Sequence, residues 1–228
     1  MTTLILLRHG RTTANTEGVL AGDSPVPLDE TGVAQAQAAG ARLAGLSLKA
    51  VVTSPLERCR QTLSLALPGV TPAVENGLTE CGYGEWSGRK LSELTDEPQW
   101  RTVQQHPSAV VFPGGEAMAA MASRAVAAVR RWNAIVAGEN GPDSTWLACS
   151  HGDVIKSIVA DALGMHLDLF QRIHVAPGSL TVIRYTPDRP FLVRLSEDQS
   201  PLVLPPPGSS PEPPAGSSSD APLGGGSV

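Results

Sequence analysis

The feature of this sequence that most constrains the fold is a short apolar run that ends abruptly in polar residues and recurs along the chain. The runs cover residues 4–7, 50–53 and 146–149. A short, nearly continuous apolar run is typical of a strand that is covered on both faces, as in parallel sheets flanked by helices. The chain is therefore expected to place these strands inside a sheet that has a layer of helices on each side.

Segments with helical periodicity separate and follow these runs. The predicted helices cover about residues 31–46, 55–67, 118–138 and 154–163. In the first of them the apolar stripe ends at Leu46, and Asp29 or Thr31 is the expected N-cap. The alternating segments 181–185 and 191–195 predict a hairpin at the sheet edge. This pattern predicts an α/β fold, a three-layer α/β/α sandwich with a mostly parallel central sheet.

The last part of the chain has a different composition from the rest. Of the 29 residues from 200 to 228, 20 are Pro, Gly or Ser. Such a segment cannot bury enough apolar surface to offset the entropy lost on ordering. We expect one catalytic domain over residues 1–199 and a disordered tail over residues 200–228.

Charge and cysteine content exclude several classes of function. The net charge is −5 and Lys and Arg form no run, which argues against nucleic acid or an anionic membrane as the partner. No apolar stretch reaches the length of a membrane span, so a cytoplasmic protein is expected. The three cysteines lack the spacing of a disulfide framework or a zinc site. We therefore predict no metal and no cofactor, and reduced cysteines that act as small buried fillers.

Polar residues follow each of the three apolar runs. Arg8 and His9 end the first run, Arg58 comes shortly after the second, and His151 follows the third. Because the carboxyl ends of parallel strands meet at one edge of a sheet, these side chains are expected to lie close together. Any one of them alone would more often be a structural residue. Together they form a cluster of cations and donors that suits a phosphoryl group.

Five ordered segments carry a family resemblance. They read LLRHGRTTAN, SPLERCRQT, LTECGYGEWSG, PGGE and SHG. Together they resemble the histidine phosphatase superfamily, the phosphoglycerate-mutase-like proteins, and the likeness covers roughly the whole body of the chain. It implies the phosphoglycerate-mutase-like fold and a metal-independent phosphatase, of the histidine acid phosphatase type, that acts on a small phosphorylated metabolite.

The resemblance also implies roles for individual residues. His9 matches the nucleophile that becomes phosphohistidine, and Arg8, Arg58 and His151 match the phosphate pocket. Glu80 matches the general acid, so we expect its environment to raise its pKa. Further substrate contacts are expected from Asn15, Thr12, Gly22 and Gly152.

Three hypotheses remain open on the sequence. The first is a phosphomonoesterase that works through phosphohistidine. The second is a cofactor-dependent phosphoglycerate mutase, which the short insertion and the missing Arg pair after Glu80 make less favoured. The third is a non-catalytic binder of phosphate ligands, which the intact motif residues argue against. The sequence leaves a homodimer open and does not identify the substrate.

Overall fold

Six strands of residues 1–198, the part of the chain that this computed structural model describes, form one sheet. They are β1 (Thr2–Arg8), β2 (Leu48–Thr53), β3 (Ala73–Val74), β4 (Ser144–Ser150), β5 (Leu180–Tyr185) and β6 (Pro190–Glu197). Their order across the sheet is β3-β2-β4-β1-β5-β6. The strands β3, β2, β4 and β1 run parallel to one another. β5 is antiparallel to β1, and β6 is antiparallel to β5. The predicted parallel sheet with an edge hairpin is confirmed, whereas the predicted tail lies outside the described residues.

Helices connect the strands of the described chain. They are α1 (Thr13–Thr16), α2 (Glu30–Leu43), α3 (Glu57–Ala66), α4 (Leu91–Leu94), α5 (Trp100–Gln105), α6 (Met118–Asn140) and α7 (Gly152–Ala162). Asp29 is the N-cap of α2, because its Oδ1 accepts a hydrogen bond from the Gly32 amide at 2.7 Å. The predicted end of this helix at Leu46 is wrong. The helix ends at Leu43, because Ala44 has already left the helical conformation, with φ −58° and ψ 133°, and Gly45 follows with a φ of +83°.

Two other helix boundaries differ from the prediction for local reasons. α3 begins at Glu57 rather than Pro55, because Leu56 is extended, with φ −69° and ψ 142°. α6 runs through Gly138, since the left-handed conformation that ends the helix belongs to Gly141, with a φ of +80°.

Alternate residues of β1 face two separate cores. Leu4 and Leu6 pack with α6 and α7 on one face of the sheet. Ile5 and Leu7 pack with α2 and α3 on the other face. This arrangement makes the domain a three-layer sandwich, as predicted. Within residues 1–198 no helix is both long and apolar enough to cross a bilayer.

The three cysteines are buried and free of disulfides. Cys59 and Cys149 belong to the core beneath α2 and α3, and Cys81 belongs to the core beneath α6. Their predicted role as buried, reduced fillers agrees with this placement.

The strand register brings the predicted site residues to one edge. Arg8 is paired with Ser150 across β1 and β4, so His9 and His151 leave the sheet side by side. The loop after β1 packs so tightly against α2 that a Cβ on Gly10 would lie 2.4 Å from the carbonyl oxygen of Gly32. The direction in which His9 leaves β1 is therefore fixed by the contact between the two backbones.

Candidate active site

Three elements bring two arginines and two histidines together at the sheet edge. The ring centroids of His9 and His151 are 5.3 Å apart, and Arg58 Nε donates to His151 Nδ1 at 3.2 Å. Arg8 is fully buried and its Nη1 donates to the Val175 carbonyl at 2.6 Å. Burial lowers the pKa of Arg8 to about 10, so this guanidinium remains a cation at neutral pH. The four residues form the cluster that the strand ends predict.

The imidazole of His9 is held in a single tautomer. Its Nδ1 lies 2.8 Å from the carbonyl oxygen of Gly10. A carbonyl only accepts hydrogen bonds, so Nδ1 carries the proton and Nε2 keeps its lone pair. Burial, followed by the charges of Arg58 and Arg8, holds the pKa of His9 well below its usual range. His9 is therefore a neutral imidazole with a nucleophilic Nε2 at neutral pH.

His151 is fixed by partners on both ring nitrogens. Nδ1 accepts from Arg58, so Nε2 carries the proton and donates to Ser54 Oγ at 2.7 Å. Burial, followed by the charge of Arg58, holds the pKa of His151 well below its usual range. Cys59 Sγ lies 3.5 Å from Nε2. Sequence reasoning did not single out Ser54 as a partner of this histidine, although the residue directly follows β2.

Arg58 also donates from its two terminal nitrogens to the loop that contains Gly22. Its Nη2 donates to the Gly22 carbonyl at 2.7 Å, and its Nη1 donates to the Ser24 carbonyl at 3.2 Å. Gly22 has a φ of +55°, and a Cβ there would lie 2.5 Å from Ser87 Oγ. Gly22 thus contributes a backbone carbonyl to the site, at a position where a side chain would be strained.

Thr12 and Asn15 are hydrogen-bonded to each other, which was not predicted from the sequence. The Oδ1 of Asn15 accepts from the Thr12 amide and from the Thr12 hydroxyl, each at 3.0 Å. The Thr12 hydroxyl in turn accepts from the Asn15 amide, which completes a capping box for α1. Only the Nδ2 of the Asn15 side chain is left to donate to a ligand.

Gly152 is the buried first residue of α7 and does not line the cavity at His9.

Glu80 is buried beside this cluster. It is 5% exposed, and its Oε1 accepts from the Cys81 amide at 3.0 Å. Burial, and after it the negative charge of Asp153, raises the pKa of Glu80 to about 7. The raised pKa expected from the sequence is confirmed in direction. At neutral pH this carboxyl group is available in both its acid and its base form.

The backbone that carries Glu80 is held by Arg124 of α6. Its guanidinium donates to the carbonyls of Gly77, Thr79 and Glu80 at 2.7–3.0 Å. The same guanidinium forms a bidentate ion pair with Glu116, with N–O distances of 2.7 and 2.9 Å. Arg124 was not identified from the sequence, because on the helical pattern it reads as an ordinary polar residue of α6.

A second buried group below the site was also missed. Asp153, Lys156 and Tyr83 are each at most 2% exposed, and the Tyr83 hydroxyl donates to Asp153 Oδ2 at 2.8 Å. The available signal was an Asp and a Lys within an otherwise apolar stretch that follows SHG. Charged residues are seldom buried unless they are paired, and here Asp153 and Lys156 lie 3.6 Å apart.

The cavity at His9 is small. Its lining residues are His9, Thr12, Asn15, Val19, Leu20, Ala21, Gly22, Arg58, Glu80 and Tyr83. Its volume of about 20 Å³ holds roughly one water molecule. Cavities of about 590 and 870 Å³ lie elsewhere, but the charged residues that line them are exposed, so their volume does not identify an active site. Among residues 1–198, His, Cys, Asp and Glu form no group that could hold a metal ion.

The fold and the cluster define a class of protein, an α/β sandwich with a cluster of arginines and histidines at the carboxyl edge of its sheet. The family model of the histidine phosphatase superfamily (branch 1) matches residues 4–198. The chain therefore belongs to the histidine phosphatase superfamily, and the resemblance found in the sequence is confirmed.

Known relatives include both phosphatases and mutase-like proteins. The adenosylcobalamin/alpha-ribazole phosphatase of Salmonella typhimurium is 31% identical over 187 residues, which cover 79% of this chain and 89% of that protein. The probable phosphoglycerate mutase GpmB of Yersinia pestis is 28% identical over 189 residues, which cover 81% and 86%. The crystal structure of the alpha-ribazole phosphatase from Shigella flexneri superposes with a TM-score of 0.74 at 28% identity, covering 86% and 96%.

Another relative is a longer protein. The bifunctional protein Rv2228c of Mycobacterium tuberculosis is 31% identical over 199 residues, or 85% of this chain. These residues cover 53% of that protein, so the chain spans about half the length of this relative.

Proposed function

We propose that this protein is a metal-independent phosphomonoesterase, of the histidine acid phosphatase type, that acts through phosphohistidine on a small phosphorylated metabolite. One observation carries the proposal. A neutral His9, whose Nε2 is free, is buried with two cationic arginines and with a Glu80 whose pKa is about 7. These are the nucleophile, the charge-stabilising groups and the acid that hydrolysis of a phosphomonoester needs.

The first step transfers the phosphoryl group to the enzyme. Nε2 of His9 forms a bond to phosphorus while the bond from phosphorus to the ester oxygen breaks. Glu80 donates its proton to that oxygen, and the alcohol leaves. Arg8, Arg58 and His151 offset the charge that develops on the phosphoryl oxygens.

The second step releases phosphate. The Glu80 carboxylate takes a proton from water, the water oxygen bonds to phosphorus, and the bond from phosphorus to His9 Nε2 breaks. Inorganic phosphate, neutral His9 and protonated Glu80 result. A single carboxyl group serves both steps because a pKa near 7 makes its two forms similar in free energy at neutral pH.

Both terminal nitrogens of Arg58 contact the loop that contains Gly22. In the structure Arg58 donates to the Gly22 and Ser24 carbonyls, and the cavity holds about one water molecule. We propose that the phosphoryl oxygens replace these two carbonyls when the substrate binds. Charge-assisted hydrogen bonds to phosphate are stronger than those to a neutral carbonyl, so the exchange is favourable.

The mutase is the second candidate, supported by the mutase-like relative from Yersinia pestis. The phosphatase is favoured because the relative from Salmonella typhimurium, 31% identical, carries a phosphatase name, and because the Arg pair expected of a mutase is missing after Glu80. The physiological monoester, a cytoplasmic location and a homodimer remain predictions, as does the absence of nucleic-acid and membrane partners.

A phosphate-release screen tests the proposal. The purified chain is assayed on sugar phosphates, phosphoglycerates, nucleotides and phosphoamino acids, each with and without bisphosphoglycerate, and His9→Ala is the control. We expect inorganic phosphate from at least one monoester and none from the variant. Isomerisation of phosphoglycerate that depends on bisphosphoglycerate would instead support the mutase. Saturable binding of phosphate esters with no turnover would support the non-catalytic binder.

A further inference from the structure

Gly10 supplies the carbonyl that fixes the tautomer of His9. Its oxygen lies 2.8 Å from His9 Nδ1. Glycine has more conformational freedom than any other residue, so the direction of this carbonyl depends on the groups that hold the peptide units on either side of Gly10. Two side chains hydrogen-bond to those peptide units, Gln35 of α2 and Thr62 of α3.

Gln35 holds the peptide unit that contains the Gly10 carbonyl. Its Oε1 accepts a hydrogen bond from the Arg11 amide at 2.8 Å. That N–H belongs to the same planar unit as the Gly10 carbonyl, and in a trans peptide the two groups point in opposite directions. Because Gln35 fixes the N–H on the side of α2, it also fixes the C=O in the direction of His9.

The close packing of α2 on this loop places Gln35 within reach. Gln35 lies three residues after Gly32, so the two residues share one face of the helix. A Cβ on Gly32 would overlap the backbone of Arg11, which shows how closely the two segments approach. A glutamine one turn after this contact can therefore accept from the Arg11 amide.

Thr62 holds the preceding peptide unit, which joins His9 to Gly10. Its Oγ1 accepts from the Gly10 amide at 3.0 Å and donates to the Arg58 carbonyl at 2.7 Å. A hydroxyl suits this position because it accepts and donates at the same time. Thr62 is fully buried, so removal of its oxygen would leave the Gly10 amide unpaired in the protein interior.

We propose that Gln35 and Thr62 are positioning residues for the nucleophile, which hold Gly10 so that its carbonyl keeps the proton on Nδ1 of His9 and leaves Nε2 free to attack phosphorus. The inference rests on the proposed function, because it concerns the nucleophile of that reaction. The described residues that line the cavity at His9 include neither Gln35 nor Thr62, so both act through Gly10.

The hydrogen bond made by one ring nitrogen determines which nitrogen carries the proton. If the Gly10 carbonyl turns away, the ring of His9 loses the acceptor for its Nδ1–H. The proton can then reside on Nε2, and in that tautomer Nε2 has no lone pair with which to form the bond to phosphorus. The two side chains therefore determine the fraction of the enzyme that is ready to react.

The test uses substitutions that remove the acceptor oxygens and keep the size of the side chains. Gln35→Met and Thr62→Val are the test variants, and Thr62→Ser, which retains the hydroxyl, is the conservative variant. Gln61→Met and Ser157→Ala are the matched controls, because Gln61 and Ser157 hydrogen-bond to backbone groups away from Gly10.

The first measurement identifies the tautomer directly. The chain has five histidines, and NMR correlations between ring protons and nitrogens in ¹⁵N-histidine-labelled protein distinguish a ring protonated on Nδ1 from one protonated on Nε2. The signals of His9 are those that His9→Ala lacks. At about pH 8, where an ordinary imidazole is neutral, we expect only the Nδ1–H form in the wild type, in both controls and in Thr62→Ser. Gln35→Met and Thr62→Val should show both forms.

The second measurement is kcat/KM for two esters. They are glycerol 2-phosphate, whose alkoxide needs a proton to leave, and p-nitrophenyl phosphate, whose phenolate does not. We expect Gln35→Met and Thr62→Val to lower both values by a similar factor, about tenfold or more, because a misplaced nucleophile affects every ester. A defect in Glu80 would instead lower the value for the alkyl ester alone.

A folded Gln35→Met variant that keeps only the Nδ1–H form would overturn the inference, whatever its rate. Mixed tautomers with wild-type kcat/KM on both esters would overturn it as well. If Thr62→Val fails to fold, Gln35→Met decides, because Gln35 is only half-buried. A wild-type chain that hydrolyses neither ester would refute the proposed function, whereas the tautomers would still show whether Gln35 and Thr62 position His9.

Discussion

Replacement of Glu80 by glutamine separates proton transfer from phosphoryl transfer. The glutamine side chain would keep an oxygen for the Cys81 amide, and it resembles the protonated carboxyl group that the first step uses, so the fold should persist. It cannot give up a proton. Since general acid–base catalysis contributes roughly 10²- to 10⁴-fold, Glu80→Gln should slow hydrolysis of glycerol 2-phosphate by about that factor.

The pKa of Glu80 sets the shape of the wild-type profile. With a pKa of about 7, roughly nine-tenths of the enzyme carries the Glu80 proton at pH 6 and roughly one-tenth at pH 8. Wild-type kcat/KM for the alkyl ester should therefore fall about tenfold between these values, and the Glu80→Gln profile should be flat there. On p-nitrophenyl phosphate in a stopped-flow instrument, the variant should release a burst of nitrophenol followed by a slow steady rate, because only attack by water is impaired.

Stability provides an independent check on the same carboxyl group. The folded-state pKa of about 7 lies above the ordinary value of 4.5, so the stabilisation present below pH 4.5 is lost as the pH rises through 7. The difference corresponds to about 3 kcal/mol of unfolding free energy, which Glu80→Gln should recover at pH 8 in a denaturant titration. Equal losses on alkyl and aryl esters, with no burst and no gain in stability at pH 8, would refute the role of Glu80 as a buried acid.

Further predictions concern the nucleophile, the absence of a metal requirement, Arg124 and the tail. His9→Ala should fold normally, show no turnover and carry no phosphate after a rapid quench. Wild type quenched during turnover should carry an alkali-stable, acid-labile phosphate. Detection of such a phosphate on His9→Ala would contradict this prediction. Treatment with a chelator should leave turnover unchanged, and a loss restored by one divalent ion would mean that the site needs a metal. Arg124→Met should lower kcat on alkyl esters by about tenfold or more, because the loop that carries Glu80 loses hydrogen bonds to three carbonyls. Equal activity of variant and wild type in a steady-state assay would show that Arg124 is not needed to position Glu80. A chain that ends at Gln199 should keep its melting temperature and turnover, and a marked decrease in either would show that the tail contacts the body.

The sequence predicted those features that depend on local pattern. Apolar runs of strand length, helical periodicity and a polar residue at each strand end are properties of neighbouring residues, so the sheet and the meeting of His9, Arg58 and His151 could be predicted. The caps and helix ends were predicted less well. At α2, the stripe of apolar residues continued to Leu46, but the helix ended at Leu43, because Ala44 is extended and Gly45 has a positive φ.

The polar partners that fix and tune these residues could be identified only in the folded chain. Thr12 and Asn15 read as ligand donors in the sequence, yet they hydrogen-bond to each other. The link from Asp153 to Tyr83 joins residues 70 positions apart, and that from Arg124 to the Glu80 carbonyl joins residues 44 positions apart. The fold class could therefore be predicted from the sequence alone, together with the residues that we propose to react. The tautomer of His9 and the protonation of Glu80 depend on burial and on charges that are distant along the chain, and these arise only when the layers pack.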